Sequence, residues 1–248
     1  MDEEDFFNGF SPKMSKADRR FMLGATLALL TGAGLAGAGF AMRRPGPSEA
    51  RWDQGAMQRF RGVLVEQPYP TLLRADEQGA LRPMLLSGYG KIALPRLGAP
   101  PALVEIEGSM IARGPFAMVA VRDAAAYARL PRTPAALPGP APEDLGPVSQ
   151  RGEILDAKCW FGAMNPGEGL THKACAALCA RGRLPLSFCV LDGCGDAGEI
   201  VLFLDQAGRP HGREVIPYLA DAVLADGRMV RRNGFLEFRV PLGGITRI

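Results

Sequence analysis

The sequence predicts a mainly-β protein in which one N-terminal transmembrane helix precedes two tandem small β-barrels, the second with a Cys/His-rich helical insertion. Three observations lead to this prediction. Residues 21–42 carry no charge. Segments of 60–125 recur within 150–248, and residues 159–179 collect three cysteines and a histidine. Gly and Pro, at 31 and 21 residues, favour short strands and turns over long helices.

The uncharged run 21–42 is long enough to form a transmembrane helix. At about 1.5 Å per helical residue it crosses a hydrocarbon core of about 30 Å. Basic residues flank it with a slight excess on the N-terminal side: Lys13, Lys16, Arg19 and Arg20 against Arg43, Arg44 and Arg51. This bias predicts a single-pass protein of a bacterial inner membrane, with residues 1–20 as a cytoplasmic tail. Residues 43–59 would then be a linker to domains in the periplasm.

Residues 18–23 read Asp-Arg-Arg-Phe-Met-Leu and lead into a weakly hydrophobic Gly/Ala-rich stretch. This segment resembles a twin-arginine export signal, a pathway that exports folded proteins, often with a cofactor already inserted. Asp18 departs from the Ser or Thr of that pattern, and paired arginines also precede ordinary membrane spans. Cleavage after Ala38 or Ala41 would release a soluble form, whereas the outcome we expect is an uncleaved anchor.

Small residues recur at every fourth position of the apolar run. They form two series, Gly24, Ala28, Gly32 and Ala36, and Ala33, Gly37 and Ala41. This spacing lets a second helix approach closely, so it predicts contact with other membrane subunits. The alternative is that Ala and Gly only fill a weakly hydrophobic span.

An internal repeat divides the rest of the chain. Six positions match at an offset of 119, pairing Gly108, Met110, Ile111, Arg113, Phe116 and Val121 with Gly227, Met229, Val230, Arg232, Phe235 and Val240. Both stretches predict a β-hairpin. Residues 61–65 recur at 151–155, and 83–87 align more loosely with 200–205. We therefore predict a first barrel at 60–125, a Pro-rich linker at 126–149 and a second barrel at 150–248.

Two copies of about five short strands, each closed by a hairpin, suit small barrels of the OB type. The second copy also resembles small exported bacterial OB-like domains that open with G-x-[IV]-x-D-x-x-C and later carry C-x3-C. The matching positions are Gly152, Ile154, Asp156, Cys159, Cys175 and Cys179. The resemblance implies the fold and brings no established activity with it.

The extra material of the second copy contains the candidate site. A helix over 171–180 would place His172, Cys175 and Cys179 on one face, at about 100° per residue. Cys159 would complete the set from a preceding strand. Three thiols and an imidazole suit zinc, copper or an iron–sulfur centre. The first copy has neither Cys nor His, so the barrel itself does not need these residues.

Disulfides are the competing interpretation of the five cysteines. Cys159 could pair with Cys175 or Cys179, and Cys189 with Cys194. A redox-active pair of Cys175 and Cys179 is a third interpretation, because these residues lie one helical turn apart. Two further soft-ligand candidates are assigned other roles: Met164 is expected in the core beside Trp160 and Phe161, and His211 in an exposed loop.

The sequence indicates no catalytic residues and no nucleic-acid partner. A net charge of +3, without a basic run among aromatic residues, argues against a nucleic-acid partner. The sequence also contains no catalytic or nucleotide-binding motif. We therefore predict a membrane-anchored accessory subunit or assembly factor of a respiratory or other redox complex, with a metal or cofactor in the second barrel. The alternatives are a non-metal structural subunit with a disulfide-stapled docking insertion, and a periplasmic metallochaperone.

Overall fold

A computed structural model describes residues 14–42, 50–76, 81–95, 101–122, 127–130, 141–190 and 200–248. The chain forms two compact units, Met1–Pro47 and Ser48–Ile248. In the described part of the chain, the first unit contributes one helix, and the second is mainly β and contains two closed five-stranded barrels.

Helix α1 spans Lys16–Met42 and encloses the whole predicted run 21–42. It begins before that run because Ser15 caps it. The Ser15 Oγ accepts the backbone N–H of Asp18 at 3.0 Å and donates to the Asp18 carboxylate at 2.8 Å. Asp18, the departure from the twin-arginine pattern, thus has a local role in starting the helix. By length and composition α1 can cross a membrane.

The first barrel is a sheet of five strands that closes on itself. These are β2 (Gln58–Val65), β3 (Thr71–Ala75), β4 (Leu81–Gly88), β5 (Ala102–Arg113) and β6 (Phe116–Val121). The strands pair in the closed order β2, β3, β4, β6, β5 and back to β2. Neighbouring strands are antiparallel except β4 and β6, which are parallel. Two short strands, β1 (Arg51–Trp52) and β7 (Tyr127–Arg129), add to β5.

The second barrel repeats this order and these directions. Its strands are β8 (Glu143–Asp156), β9 (Leu186–Val190), β10 (Ile200–Leu204), β11 (Ala222–Arg232) and β12 (Phe235–Arg239). Here β10 and β12 are the parallel pair, and β11 closes the barrel on β8. The short strand β13 (Ile245–Arg247) adds to β11.

The repeat offsets predict the strand register of both closing hairpins. Ile111 lies opposite Met118 in the first hairpin, and Val230 lies opposite Glu237 in the second, both shifted by the same 119 residues. Gly62 and Gly152 also match, because a Cβ at either position would collide with a backbone carbonyl of the neighbouring strand. Close strand approach therefore requires glycine at the opening of each barrel.

Strands reach into both predicted linkers. β1 and the start of β2 lie within 43–59, while β7 and residues 143–149 of β8 lie within 126–149. Pro147 is tolerated in β8 because it pairs with Arg228 on one side only, next to a β-bulge. A proline-rich composition was therefore an unreliable guide to where pairing stops.

The connections after the first strands differ between the barrels. Residues 66–70 join β2 to β3, whereas residues 157–185 join β8 to β9. The longer connection holds a π-helical turn (Cys159–Ala163), a 3-10 turn (Leu170–His172) and helix α2 (Lys173–Arg181). It contains all four predicted site residues.

Trp160 and Phe161 anchor this connection in a core shared by both barrels. The cluster includes Ile111 and Met118 of the first barrel, and Leu155 and Leu204 of the second. The Trp160 ring packs edge-on against Phe116, with 5.7 Å between centroids, and the Arg113 guanidinium lies 4.3 Å above it. These two aromatic residues therefore pack the long β8–β9 connection against both barrels.

Candidate metal site

The structure brings His172, Cys175 and Cys179 each close to Cys159. The Cys159 sulfur lies 3.7 Å from that of Cys175 and 3.8 Å from that of Cys179. The ligand atoms of Cys159, His172 and Cys175 all lie within 4.8 Å of one another. All three thiols are free. Cys159 opens the π-helical turn just after β8, and α2 supplies the other two sulfurs.

Helix α2 begins later than the sequence predicts. Leu170–His172 form a 3-10 turn, and regular helix starts at Lys173 instead of Thr171. His172 occupies the N-cap position of this helix. The tighter turn follows Gly169, whose φ of 76° lets the chain change direction.

His172 is held in an orientation suited to metal binding. Its Nε2 lies 2.8 Å from Oδ2 of Asp156, and both side chains are fully buried. Because a carboxylate only accepts hydrogen bonds, Nε2 must carry the proton. Nδ1 is buried and has no hydrogen-bond partner. A lone pair at Nδ1 is therefore free for a ligand, as in carboxylate–histidine–metal arrangements.

Asp156 is part of the site and was not predicted as a site residue. Its Oδ1 accepts the backbone N–H of Cys159 at 2.9 Å, so the carboxylate orients a thiol-bearing residue and the imidazole together. Asp156, Cys159 and Cys179 also place their ligand atoms within 4.8 Å of each other. The Asp-x-x-Cys spacing in the sequence was the signal that could have identified it.

Two lysines bring positive charge to the thiols. Lys91, in the segment after β4, places its ammonium 2.6 Å from the Cys175 sulfur and 3.8 Å from that of Cys179. Burial opposes the charge of Lys91, but the hydrogen bond to Cys175 and the nearby sulfurs raise its pKa overall. Nothing in the sequence indicated Lys91, because it belongs to the other barrel.

Lys158 lies directly beside Cys159 and is almost fully buried. Its three N–H donors contact the carbonyls of Gly88, Tyr89 and Gly90 at 2.6, 2.9 and 2.8 Å. Burial lowers the pKa of Lys158 to about 8, while Cys179, Cys159 and Asp156 act in the opposite direction. Lys158 therefore fixes the segment after β4 against the site.

Cys159 favours its protonated form when no metal neutralises it. The hydrogen bond to the Cys179 sulfur, then burial and the Asp156 charge, raise the pKa of Cys159. A metal ion would have to displace this proton, since the thiolate is the binding form.

The sulfur spacing fits a tetrahedral ion. Two sulfurs at about 2.3 Å from a tetrahedral zinc lie about 3.8 Å apart. The observed separations from Cys159 are 3.7 and 3.8 Å. A disulfide needs about 2.05 Å between its sulfurs. Cys159 is thus spaced from Cys175 and from Cys179 as two ligands of one ion would be, and either disulfide of the stapled alternative would need its two sulfurs to move closer.

The remaining candidates lie elsewhere. Cys189 on β9 is buried and disulfide-bonded, and Cys194 falls outside the described residues, so a bond between these two stays a prediction. Met164 is 42% exposed, which is not the core position expected for it. The exposed position expected for His211 is also wrong. Its ring stacks on Phe203 at 4.9 Å, and burial lowers its pKa.

Comparison with protein-family models, curated proteins and solved structures finds no match to this chain. The function must therefore be argued from the geometry of the site itself.

Proposed function

We propose that this protein is a membrane-anchored accessory subunit or assembly factor of a respiratory or other redox complex, and that its second barrel binds zinc through Cys159, His172, Cys175 and Cys179. The observation that carries the metal proposal is that Nδ1 of His172 is buried and has no hydrogen-bond partner. His172 also belongs to a cluster with the free thiols of Cys159 and Cys175. A disulfide staple gives this nitrogen no role.

The charges around the cluster favour a divalent ion. Three thiolates and Asp156 supply four negative charges, and Lys91 and Lys158 supply two positive ones. A divalent ion makes this set neutral, whereas Cu(I) leaves a buried negative charge, which is costly in a low-dielectric interior. Zinc also matches the donor set of three sulfurs and one nitrogen.

Burial of the ligands favours a resident ion over a cargo ion. His172 and Cys179 are 1% and 0% exposed, and only Cys175 is half-buried. A metallochaperone must exchange its ion with a partner, which requires exposed ligands. Structural zinc sites are instead closed and contribute folding energy. We therefore place this protein among subunits and assembly factors.

The membrane part of the proposal has separate support. α1 can cross a membrane, and small residues at every fourth position suit contact with another membrane subunit. A twin-arginine signal would export the barrels already folded around the ion, into the periplasm. We also propose that both barrels are OB-like, because their five strands share one closed order with a single parallel pair. The long β8–β9 connection would be the insertion.

Metal content of the anaerobically purified full-length protein tests the site. We expect about one zinc per chain. His172→Ala should lose most of it, while His211→Gln, which changes the other histidine, should keep it. Zinc affinity should also fall as pH is lowered, because protons compete for the three thiols.

A different result would support the competing functions. No metal above background, together with Cys159 mapped in a disulfide to Cys175 or Cys179, would replace the metal site with a structural staple. Co-purification separates the remaining classes, because a subunit stays in a stoichiometric complex and a chaperone is found mostly free.

A further inference from the structure

Among the described residues, the positive charge closest to the thiols comes from the first barrel, which has no Cys or His of its own. Lys91 reaches two sulfurs of α2. We propose that metal binding in the second barrel locks the segment 88–93 of the first barrel onto α2, with Lys91 as the counter-charge of the metal centre. This inference rests on the proposed zinc site.

The charge argument identifies what Lys91 does. Zinc with three thiolates and a neutral imidazole carries one net negative charge. The Lys91 ammonium, 2.6 Å from the Cys175 sulfur, lies where it can compensate that charge. The other charges facing the centre are Asp156, bonded to His172, and Lys158, held by three carbonyls. Lys91 is the only one of these three on an exposed segment.

The backbone shows that this segment is already fitted to α2. The N–H of Ala93 donates to the carbonyl of Gly182 at 2.7 Å, at the C-terminal end of the helix. A Cβ at Gly182 would collide with the carbonyl oxygen of Lys91, so only glycine permits this approach. Lys158 bonds the carbonyls of residues 88–90, which precede Lys91 directly.

Metal binding and docking of the segment therefore favour each other. Zinc binding requires three thiolates, so the loaded centre carries one net negative charge, which Lys91 compensates. The docked segment in turn places Lys91 beside the sulfurs. A ligand shifts an equilibrium only through interactions that differ between its two states. Lys91 makes such an interaction, because undocking the segment removes its ammonium from the thiolates.

Hydrogen exchange of the full-length protein in detergent tests the lock. Exchange of the Ala93 amide should slow when zinc is added to metal-free protein. In Lys91→Met this slowing should largely disappear, and zinc affinity should fall about tenfold, the scale of outer-shell effects. Lys91→Arg keeps the charge and should restore most of both. Arg181→Met removes an exposed charge of the same helix and should change neither.

The outcomes separate this inference from the zinc site itself. If wild-type protein binds no zinc, the proposed site is wrong. If it binds zinc but Lys91→Met shows wild-type affinity and wild-type protection of Ala93, the site stands and the lock is wrong. Gly182→Ala gives a second check that leaves every charge in place. It should weaken zinc-induced protection of Ala93, and full protection in this variant would contradict the lock.

Discussion

Asp156→Asn removes one charge and tests how the site orients His172. The wild-type carboxylate accepts two hydrogen bonds, from Nε2–H of His172 at 2.8 Å and from the N–H of Cys159 at 2.9 Å. An asparagine has one acceptor oxygen and one donor NH2 group, so it cannot accept both.

Each orientation of the asparagine has a distinct consequence. If its oxygen keeps the Cys159 N–H, its NH2 faces Nε2 and the imidazole proton moves to Nδ1, the atom that the metal needs. If its oxygen faces His172, the NH2 opposes the Cys159 N–H and a buried donor stays unpaired. Metal binding requires the second arrangement, at a cost of about 1–3 kcal/mol. This corresponds to about 5- to 150-fold weaker zinc binding.

Competition with a chromophoric chelator measures the affinity directly. Asp156→Asn should bind zinc at least about fivefold more weakly at neutral pH. Asp144→Asn is the matched control, because Asp144 is 54% exposed and pairs with Arg228 and the backbone N–H of Gly146, away from the thiols. Its affinity should equal that of the wild type. If Asp156→Asn also binds zinc within twofold of wild type, the proposed tautomer and the use of Nδ1 are wrong.

Three further predictions concern the fold and the membrane. Trp160→Ala should lower the free energy of unfolding in urea by about 3–5 kcal/mol, because it empties the shared core; the half-exposed Leu178→Ala should cost under about 0.5 kcal/mol. Burial lowers the pKa of His211, so the unfolded state binds its proton more readily and stability falls as pH drops through about 6.5. His211→Phe should reduce that loss in metal-free protein, and an unchanged pH profile would refute this. A reporter enzyme fused after Ile248 should be active only outside the cytoplasm. Activity of this reporter in the cytoplasm would contradict the proposed membrane orientation.

Repetition within the sequence predicted most of the fold. The offset of 119 placed the closing hairpins in the same register, and the looser match of 83–87 to 200–205 also holds. Leu85 pairs with Met118 in the first barrel, and Leu202 pairs with Glu237 in the second. Met118 and Glu237 are themselves related by the offset of 119. Register could be predicted because the barrel closes only when the glycine and apolar positions of neighbouring strands coincide.

Helical spacing likewise predicted that His172 and Cys175 lie close together, and their ligand atoms are within 4.8 Å of each other although α2 begins later than expected. The start was missed because a 3-10 turn and α-helix place nearby side chains similarly over one turn.

The contribution of the first barrel to the site could not be predicted. Lys91 lies 84 residues from Cys175 in the chain, and it reaches the thiols only because the segment after β4 packs on the end of α2. His211 was misplaced for a related reason. Its Gly/Pro-rich surroundings indicate a loop, and the stacking partner that buries its ring, Phe203, belongs to the central strand β10. Contacts between distant segments leave no local pattern in the sequence.

X-ray absorption at the zinc edge of the loaded wild-type protein tests the central claim most directly. The proposed ligands, Cys159, Cys175, Cys179 and His172, predict three sulfurs at about 2.3 Å and one nitrogen at about 2.0–2.1 Å from the ion. The small amount of zinc that His172→Ala still binds should keep the three sulfurs and lose the imidazole scattering. A shell of oxygen and nitrogen atoms without sulfur would contradict the account, because zinc would then bind elsewhere on the protein.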